Sequence, residues 1–432
     1  MRKAWAFALV VAVCGMVAVP ALPASASASE YSISPAKGPA GTKITVSSAR
    51  PCAAPPSGTT LLGIDLFVEN APSTELVGGG STPANSDRTW SGTATVGSSV
   101  RNGRYQVVAV CVASDGSPYD GYEGQDFVVT SAAGQVDPAV RFAGTDRIET
   151  AIAVAEDLYP ELLPDAVVLA RSDSYADALA GTPFARAKDA PLLLTPTDSL
   201  DSRTGDEIEQ LLGSTGTVYL LGGTSAISDA VATSLTNSGY TVTRLAGVNR
   251  YDTATRVASA IGNPTTVLLA NGQDFHDGLV AGAAAGADPT GGSVVVLTNG
   301  TTLPDETKAY LAAHAAMTQY AIGSAAAGAV PSATAIAGSD FADTSRKVAE
   351  KFFPGPTAVA VANQGNFADA LTGGVHAAAY GAPVLFTDPG ALPATVSAYL
   401  TGNKASIVIA YVYGGTAAVS EPTRSAVVQA IT

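Results

Sequence analysis

Two textures of apolar and polar residues divide the chain. From about residue 30 to 133 the apolar positions come in short runs broken by Gly, Pro, Ser and Asn: 43–47 (KITVS), 61–69 (LLGIDLFVE), 89–96 (TWSGTATV), 104–113 (RYQVVAVCVA) and 126–130 (DFVVT). Short β-rich runs between turn residues predict a β-sandwich. Beyond Gly134 the apolar runs are unbroken, as in 166–170 (AVVLA), 191–195 (PLLLT) and 217–221 (TVYLL), with helical stretches at 177–188, 203–212 and 229–237 between them. Strands apolar throughout are buried on both faces, as in parallel sheets covered by helices. The order predicts a three-layer βαβαβα unit.

This unit repeats. Residues 141–150 (RFAGTDRIET) recur as 244–253 (RLAGVNRYDT) and, more weakly, as 335–344 (AIAGSDFADT). A second motif follows each copy, at 174–179 (SYADAL), 274–279 (DFHDGL) and 366–371 (NFADAL). A third closes it, at 221–224 (LGGT), 322–325 (IGSA) and 413–416 (YGGT). Self-similarity in fixed order marks a repeat architecture.

The spacing of the polar residues has a physical reading. Asp146, Asn249 and Asp340 stand three residues before Glu149, Asp252 and Asp343, and Ser174, Asp274 and Asn366 stand three before Asp177, Asp277 and Asp369. An N-cap side chain answered by an acid at N3 is the spacing of a capping box, and acids suit the positive end of a helix. These residues, with Asp146, Asn249, Asp340, Ser174, Asp274, Asn366, Asp177, Asp277 and Asp369 foremost, are therefore expected to serve helix starts. Paired carboxylates for hydrolysis are the alternative, but one chain does not need three degenerate active sites.

Composition narrows the function. The chain carries 23 Lys and Arg against 37 Asp and Glu, which excludes a nucleic-acid partner relying on a basic stripe. Arg2 and Lys3, the apolar stretch 4–19 and the small-residue run 24–28 predict an export signal over 1–28, shorter in its apolar part than a membrane span. No second apolar span follows, so the mature chain is expected to have no stable membrane segment and to be secreted. Cleavage leaves Cys52 and Cys111, expected to pair as an inter-sheet disulfide. Three scattered histidines, His276, His314 and His376, lack the spacing of a zinc helix, so no metal or cofactor is expected.

The three motifs together resemble the cell wall-binding repeat 2 family, and the stretch 33–42 (ISPAKGPAGT) resembles bacterial immunoglobulin-like modules. The resemblance implies an immunoglobulin-like β-sandwich over 30–133, then three α/β modules with mainly parallel sheets over 136–243, 244–334 and 335–432, in a pseudo-threefold arrangement. It further implies non-covalent retention on a Gram-positive wall, through an anionic secondary polymer or peptidoglycan. Polymer contacts would fall to Arg141, Arg147, Arg244 and Arg250, with backbone N–H groups of the Gly222-Gly223 and Gly414-Gly415 turns. Bracing of helices or module interfaces is the alternative for the arginines. The third copy departs, with Ala335 and Phe341 where the others carry arginine, and the second has Ser324 and Ala325 in place of Gly-Thr.

Residues 135–432 hold 15 Lys and Arg against 28 Asp and Glu. An acidic domain gains no long-range attraction for an anionic polymer, so local donors, or a bridging divalent cation, would have to supply it. The expected protein is non-enzymatic. The alternatives are a peptidoglycan hydrolase of the amidase kind or its accessory protein, and a surface-lattice protein.

Overall fold

The computed structural model describes residues 31–70, 75–97, 103–130, 138–159 and 164–432. They fall into two compact units, Met1–Val136 and Asp137–Thr432. The export signal expected over 1–28 lies outside the described residues.

In the first unit, β1 (Tyr31–Ser34), β2 (Lys37–Pro39), β3 (Lys43–Ser48), β4 (Leu61–Asn70), β5 (Glu75–Thr82), β6 (Ser91–Val96), β7 (Gly103–Ala113) and β8 (Pro118–Thr130) form one sheet. Its order is β1-β3-β6-β5-β4-β7-β8-β2, antiparallel except for the parallel pair β2 and β8. The expected two-sheet, immunoglobulin-like sandwich is thus replaced by a single mixed sheet. Strands β1 and β2 hold its opposite edges, yet only Pro35 and Ala36 separate them. Three Cα steps reach about 11 Å, so the sheet curls until its edges lie near each other. Ile44, Ile64, Leu66, Trp90 and Phe127 fill the interior. The Cys52–Cys111 disulfide forms, but Cys52 lies in the β3–β4 loop, so the bond ties a loop to the sheet rather than one sheet to another.

The second unit holds three four-stranded parallel sheets. Strand β9 (Ala139–Phe142) comes first in the chain, but its sheet is the last one. The first sheet is β10 (Ala166–Arg171), β11 (Leu192–Thr195), β12 (Thr217–Leu221) and β13 (Thr241–Leu245), in the order β11-β10-β12-β13. The second repeats that order with β14 (Thr266–Asn271), β15 (Ser293–Thr298), β16 (Thr318–Ile322) and β17 (Thr334–Ile336). The third comprises β18 (Ala358–Asn363), β19 (Val384–Thr387) and β20 (Ile409–Tyr413), and β9 completes it by pairing in parallel with β20. Each sheet therefore has a fourth strand, β13, β17 or β9, that the βαβαβα pattern does not include.

Among the described residues, twelve helices cover these sheets: α1 (Arg147–Leu158), α2 (Gly181–Ala187), α3 (Ser202–Leu212), α4 (Asp229–Asn237), α5 (Arg250–Ile261), α6 (His276–Gly286), α7 (Asp305–Ala313), α8 (Gly323–Ala329), α9 (Phe341–Phe352), α10 (Phe367–Ala379), α11 (Ala394–Asn403) and α12 (Glu421–Ile431). The first crossover helices α2, α6 and α10 pack on one another in all three pairs. Around them α1 packs on α10, α5 on α2 and α9 on α6. Each module's first-motif helix thus leans on the crossover helix of the module before it, and the third module precedes the first. One buried apolar cluster, including Leu169, Leu268, Ala360 and Phe386, runs through all three modules.

Candidate binding site at the module junctions

The first motif builds the same helix start three times. Asp146 accepts from the N–H groups of Ile148 and Glu149 at 2.9 and 3.0 Å. Asn249 accepts from Tyr251 and Asp252, both at 2.9 Å, and Asp340 from Asp343 at 2.7 Å. The N3 acids reach one residue beyond the cap: Glu149 accepts from the Thr145 N–H at 2.7 Å, Asp252 from Val248 and Asp343 from Ser339, both at 2.9 Å. The Thr145 hydroxyl holds the Glu149 carboxyl below its ordinary range, with further help from that N–H and from Arg203. The marker glycines allow the close approach, since a Cβ on Gly144 would lie 2.1 Å from that of Glu149.

The second motif departs from the capping pattern. Asn366 caps α10, accepting from Ala368 N–H at 3.2 Å. Asp274 accepts from His276 N–H at 2.9 Å, but Phe275 holds the cap position of α6. Ser174 caps no helix. Residues 176–180 form turns, and α2 starts only at Gly181. Pro183 explains the delay: its ring excludes an α-helix four residues back, and it is tolerated only in a first turn. Nor do Asp177, Asp277 and Asp369 answer a cap. Their carboxylates lie against Gly222, Gly323 and Gly414, where an added Cβ would come within 2.7, 1.9 and 2.5 Å of a carboxylate oxygen. Those glycines have φ of 101°, 83° and 96°, the left-handed region that favours Gly. Burial, and then the Asp274 charge, push the Asp277 carboxyl up to about 7. Burial also raises Asp369, partly offset by a bond from Thr150 and by Arg147.

Arg141 and Arg244 brace turns. Arg141 donates to the carbonyls of Gly414 and Val419 at 2.7 and 2.8 Å and to the Glu421 carboxylate at 3.0 Å. Arg244 donates to Gly222 and Ile227 carbonyls at 3.0 and 2.7 Å and to Asp229 at 3.4 Å. The two partner sets occupy equivalent positions in modules three and one. The N–H groups of Gly222 and Gly414 are also engaged, donating to Leu245 and Phe142 carbonyls, both at 2.8 Å. A Cβ added at Gly223 or Gly415 would meet nothing within 4 Å. In module two a short helix, α8, starts where the other two modules have this turn. Ala335, which takes the position of Arg244 in the equivalent strand β17, is exposed and offers no side-chain donor to it.

Arg147 and Arg250 are placed differently. Each gives one N–H to a strand-end carbonyl, Ser172 at 2.5 Å and Gly272 at 2.6 Å. Each then lies over an aromatic ring of the preceding module: Arg147 is 5.3 Å from the Phe367 ring centre and Arg250 5.9 Å from that of Tyr175. Their other N–H groups have no partner among the described residues. The rings themselves meet. Tyr175, Phe275 and Phe367 form a triangle with centroids 5.5, 5.7 and 6.2 Å apart, one ring from each module and each half-buried. These rings are the aromatic position of the second motif, to which spacing alone assigns no role. Its recurrence as Tyr or Phe was the available signal.

The histidines have separate surroundings. His376 is fully buried and joins modules three and one, with Nδ1 2.9 Å from Tyr413 Oη and Nε2 2.9 Å from Asp157 Oδ2. His314 contacts the Tyr310 carbonyl. Among the described residues, no group of three or more His, Cys, Asp or Glu is placed to hold a metal, and no helix is long and apolar enough to cross a membrane.

Three α/β modules, joined by strand exchange around a common helical centre with arginines at their junctions, define a modular binding scaffold. The sequence places it more closely. The model of the cell wall binding domain 2 family matches residues 141–232, 244–332 and 335–424, more than half of the chain, and the chain belongs to that family. It is 29% identical over 244 residues to the N-acetylmuramoyl-L-alanine amidase LytC of Bacillus subtilis, covering 55% of this chain and 48% of that one. It is 32% identical over 165 residues to an amidase enhancer of the same organism, covering 38% and 22%. The chain thus spans about half the length of the first and about a fifth of the second. Cwp6 and Cwp8 from Clostridium difficile share the fold, with TM-scores of 0.64 and 0.61 at 20% and 16% identity. The likeness covers 92% and 91% of this chain and 67% and 89% of theirs.

Proposed function

We propose that the protein is a secreted, non-enzymatic wall component, held non-covalently through its three modules to an anionic secondary polymer of a Gram-positive wall. The curled sheet of the first unit is the part displayed. The observation that carries this reading is the unused donor capacity of Arg147 and Arg250 at two equivalent junctions of a cell wall-binding ring. Guanidinium groups suit phosphate and carboxylate, and here they act locally within an acidic unit. The Gly222-Gly223 and Gly414-Gly415 turns, held in shape by Arg244 and Arg141, would add local backbone N–H groups. The modules are the repeats over 136–243, 244–334 and 335–432.

Pelleting of the full chain with purified wall, intact or acid-stripped of secondary polymer, tests the reading. Pelleting with intact wall alone supports it, and equal pelleting with both moves the ligand to peptidoglycan. No pelleting with either sinks it. The partial similarity to an amidase and an amidase enhancer favours a second reading, a hydrolase or its accessory. A clearing band in wall zymography, abolished by one substitution, would establish that reading.

A further inference from the structure

The third junction lacks the arginine of the other two, and the structure holds something else in its place. Ser172, Gly272 and Gln364 occupy one equivalent position, two residues before Ser174, Asp274 and Asn366. Arg147 donates to the first carbonyl and Arg250 to the second. At the third, Phe341 stands where the arginine would be and has no N–H to offer. The Gln364 carbonyl is met instead by Nε2 of His276, 2.7 Å away and supplied by module two. His276 itself occurs where the other copies carry Ala176 and Ala368. Its ring lies flat on Phe341, centroids 3.6 Å apart and planes within 2°, and stacks on Phe275 at 4.0 Å on its other side. Nδ1 contacts the Asp274 carboxylate. Both ring nitrogens thus lie against oxygen atoms, and the Gln364 carbonyl, which can only accept, takes its bond from Nε2.

We propose that His276 stands in for the missing arginine. It reaches across from module two, supplies the donor to Gln364, and presents a flat polar ring to the aromatic triangle, while Phe341 occupies the guanidinium's place as its stacking partner. The two substitutions are one exchange, made across an interface. The pair also closes its junction, since both edges of the imidazole are engaged. If Arg147 and Arg250 read the polymer as proposed above, two junctions rather than three have a guanidinium to present.

A double-mutant cycle on the full chain, read as the thermal midpoint, tests the exchange. His276→Ala leaves the Gln364 carbonyl without its donor, removes the ring contact to Asp274 and bares one face of Phe341. Phe341→Arg alone sets a guanidinium against the imidazole. Each single change is expected to lower the midpoint by about 3 °C. The double change rebuilds the geometry of the other junctions and is expected to recover most of the loss, because contacting residues couple. Additive losses overturn the proposal. If His276→Ala does not fold, His276→Gln, which keeps a donor without the ring, replaces it in the same cycle and is judged by the same criterion. Wall pelleting of the same proteins separates the two readings. Recovery of the midpoint without any gain in pelleting supports the exchange and counts only against the polymer role of the arginines.

Discussion

Arg141 donates to the carbonyl oxygen of Gly414 at 2.7 Å, from 273 positions earlier in the chain. With β9 paired to β20, this bond joins the start of the repeats to their end. The guanidinium also holds Val419 and Glu421, so Arg141→Ala removes three bonds at once. A loss of about 2–4 kcal/mol is expected, measured by urea unfolding of the second unit. Arg147→Ala removes one bond and one stacking contact and should cost clearly less. Equal losses would show that ring closure does not depend on Arg141.

The same pair should separate in binding. Arg147→Ala and Arg250→Ala together are expected to weaken wall retention about tenfold, the value of roughly 1.4 kcal/mol, with the fold retained by circular dichroism. Arg244→Ala should affect binding only as far as it loosens the Gly222-Gly223 turn. Retention unchanged in the double variant would remove the arginines from the ligand site.

Asp277 carries a pH dependence of definite sign. Its carboxyl is raised to about 7 by burial against Gly323 and by Asp274, so the folded state binds its proton more tightly than the unfolded chain. The favourable contribution is full below about pH 4 and is lost as pH climbs through about 7. Asp277→Asn removes that titration. Stability of the Asn variant relative to wild type should grow between pH 4 and 8, by on the order of 3 kcal/mol. A difference that stays constant across urea midpoints at pH 4, 6 and 8 would refute the assignment.

Reduction of Cys52–Cys111 should act on the first unit. The bond closes a separation of 59 residues, worth about 4 kcal/mol in the chain-entropy model. Calorimetry with and without reductant is expected to lower the transition of the curled sheet and leave that of the ring in place. A shift of both transitions would show the units to be coupled in unfolding.

The sequence carried the ring better than the sheet. Unbroken apolar runs such as Val167–Ala170 can be buried only between helices, so the parallel core was readable. Strand β13 was not, because Thr241–Leu245 is a half-exposed edge with polar residues in alternation. In the first unit, β5 with its Gly78–Gly80 stretch lies outside the apolar runs that marked strands, and nothing local shows that β1 and β2 hold opposite edges. The first-motif caps followed from spacing alone. Pro183 was present to warn against a helix from Asp177, and its effect was missed. The roles of Arg141 and Arg244 depend on carbonyls from other parts of the chain, which no motif displays. Likewise the triangle of Tyr175, Phe275 and Phe367 exists only once three modules meet.

Strand β9 is synthesised first among the repeats, and its partner β20 nearly last. Until then its edge stays open, an unpaired template for any other strand. The first two sheets can form as their residues emerge, whereas the third must wait for β20. A stalled or truncated chain would therefore carry two finished sheets and one adhesive edge. Closure of the ring reports that synthesis has passed β20.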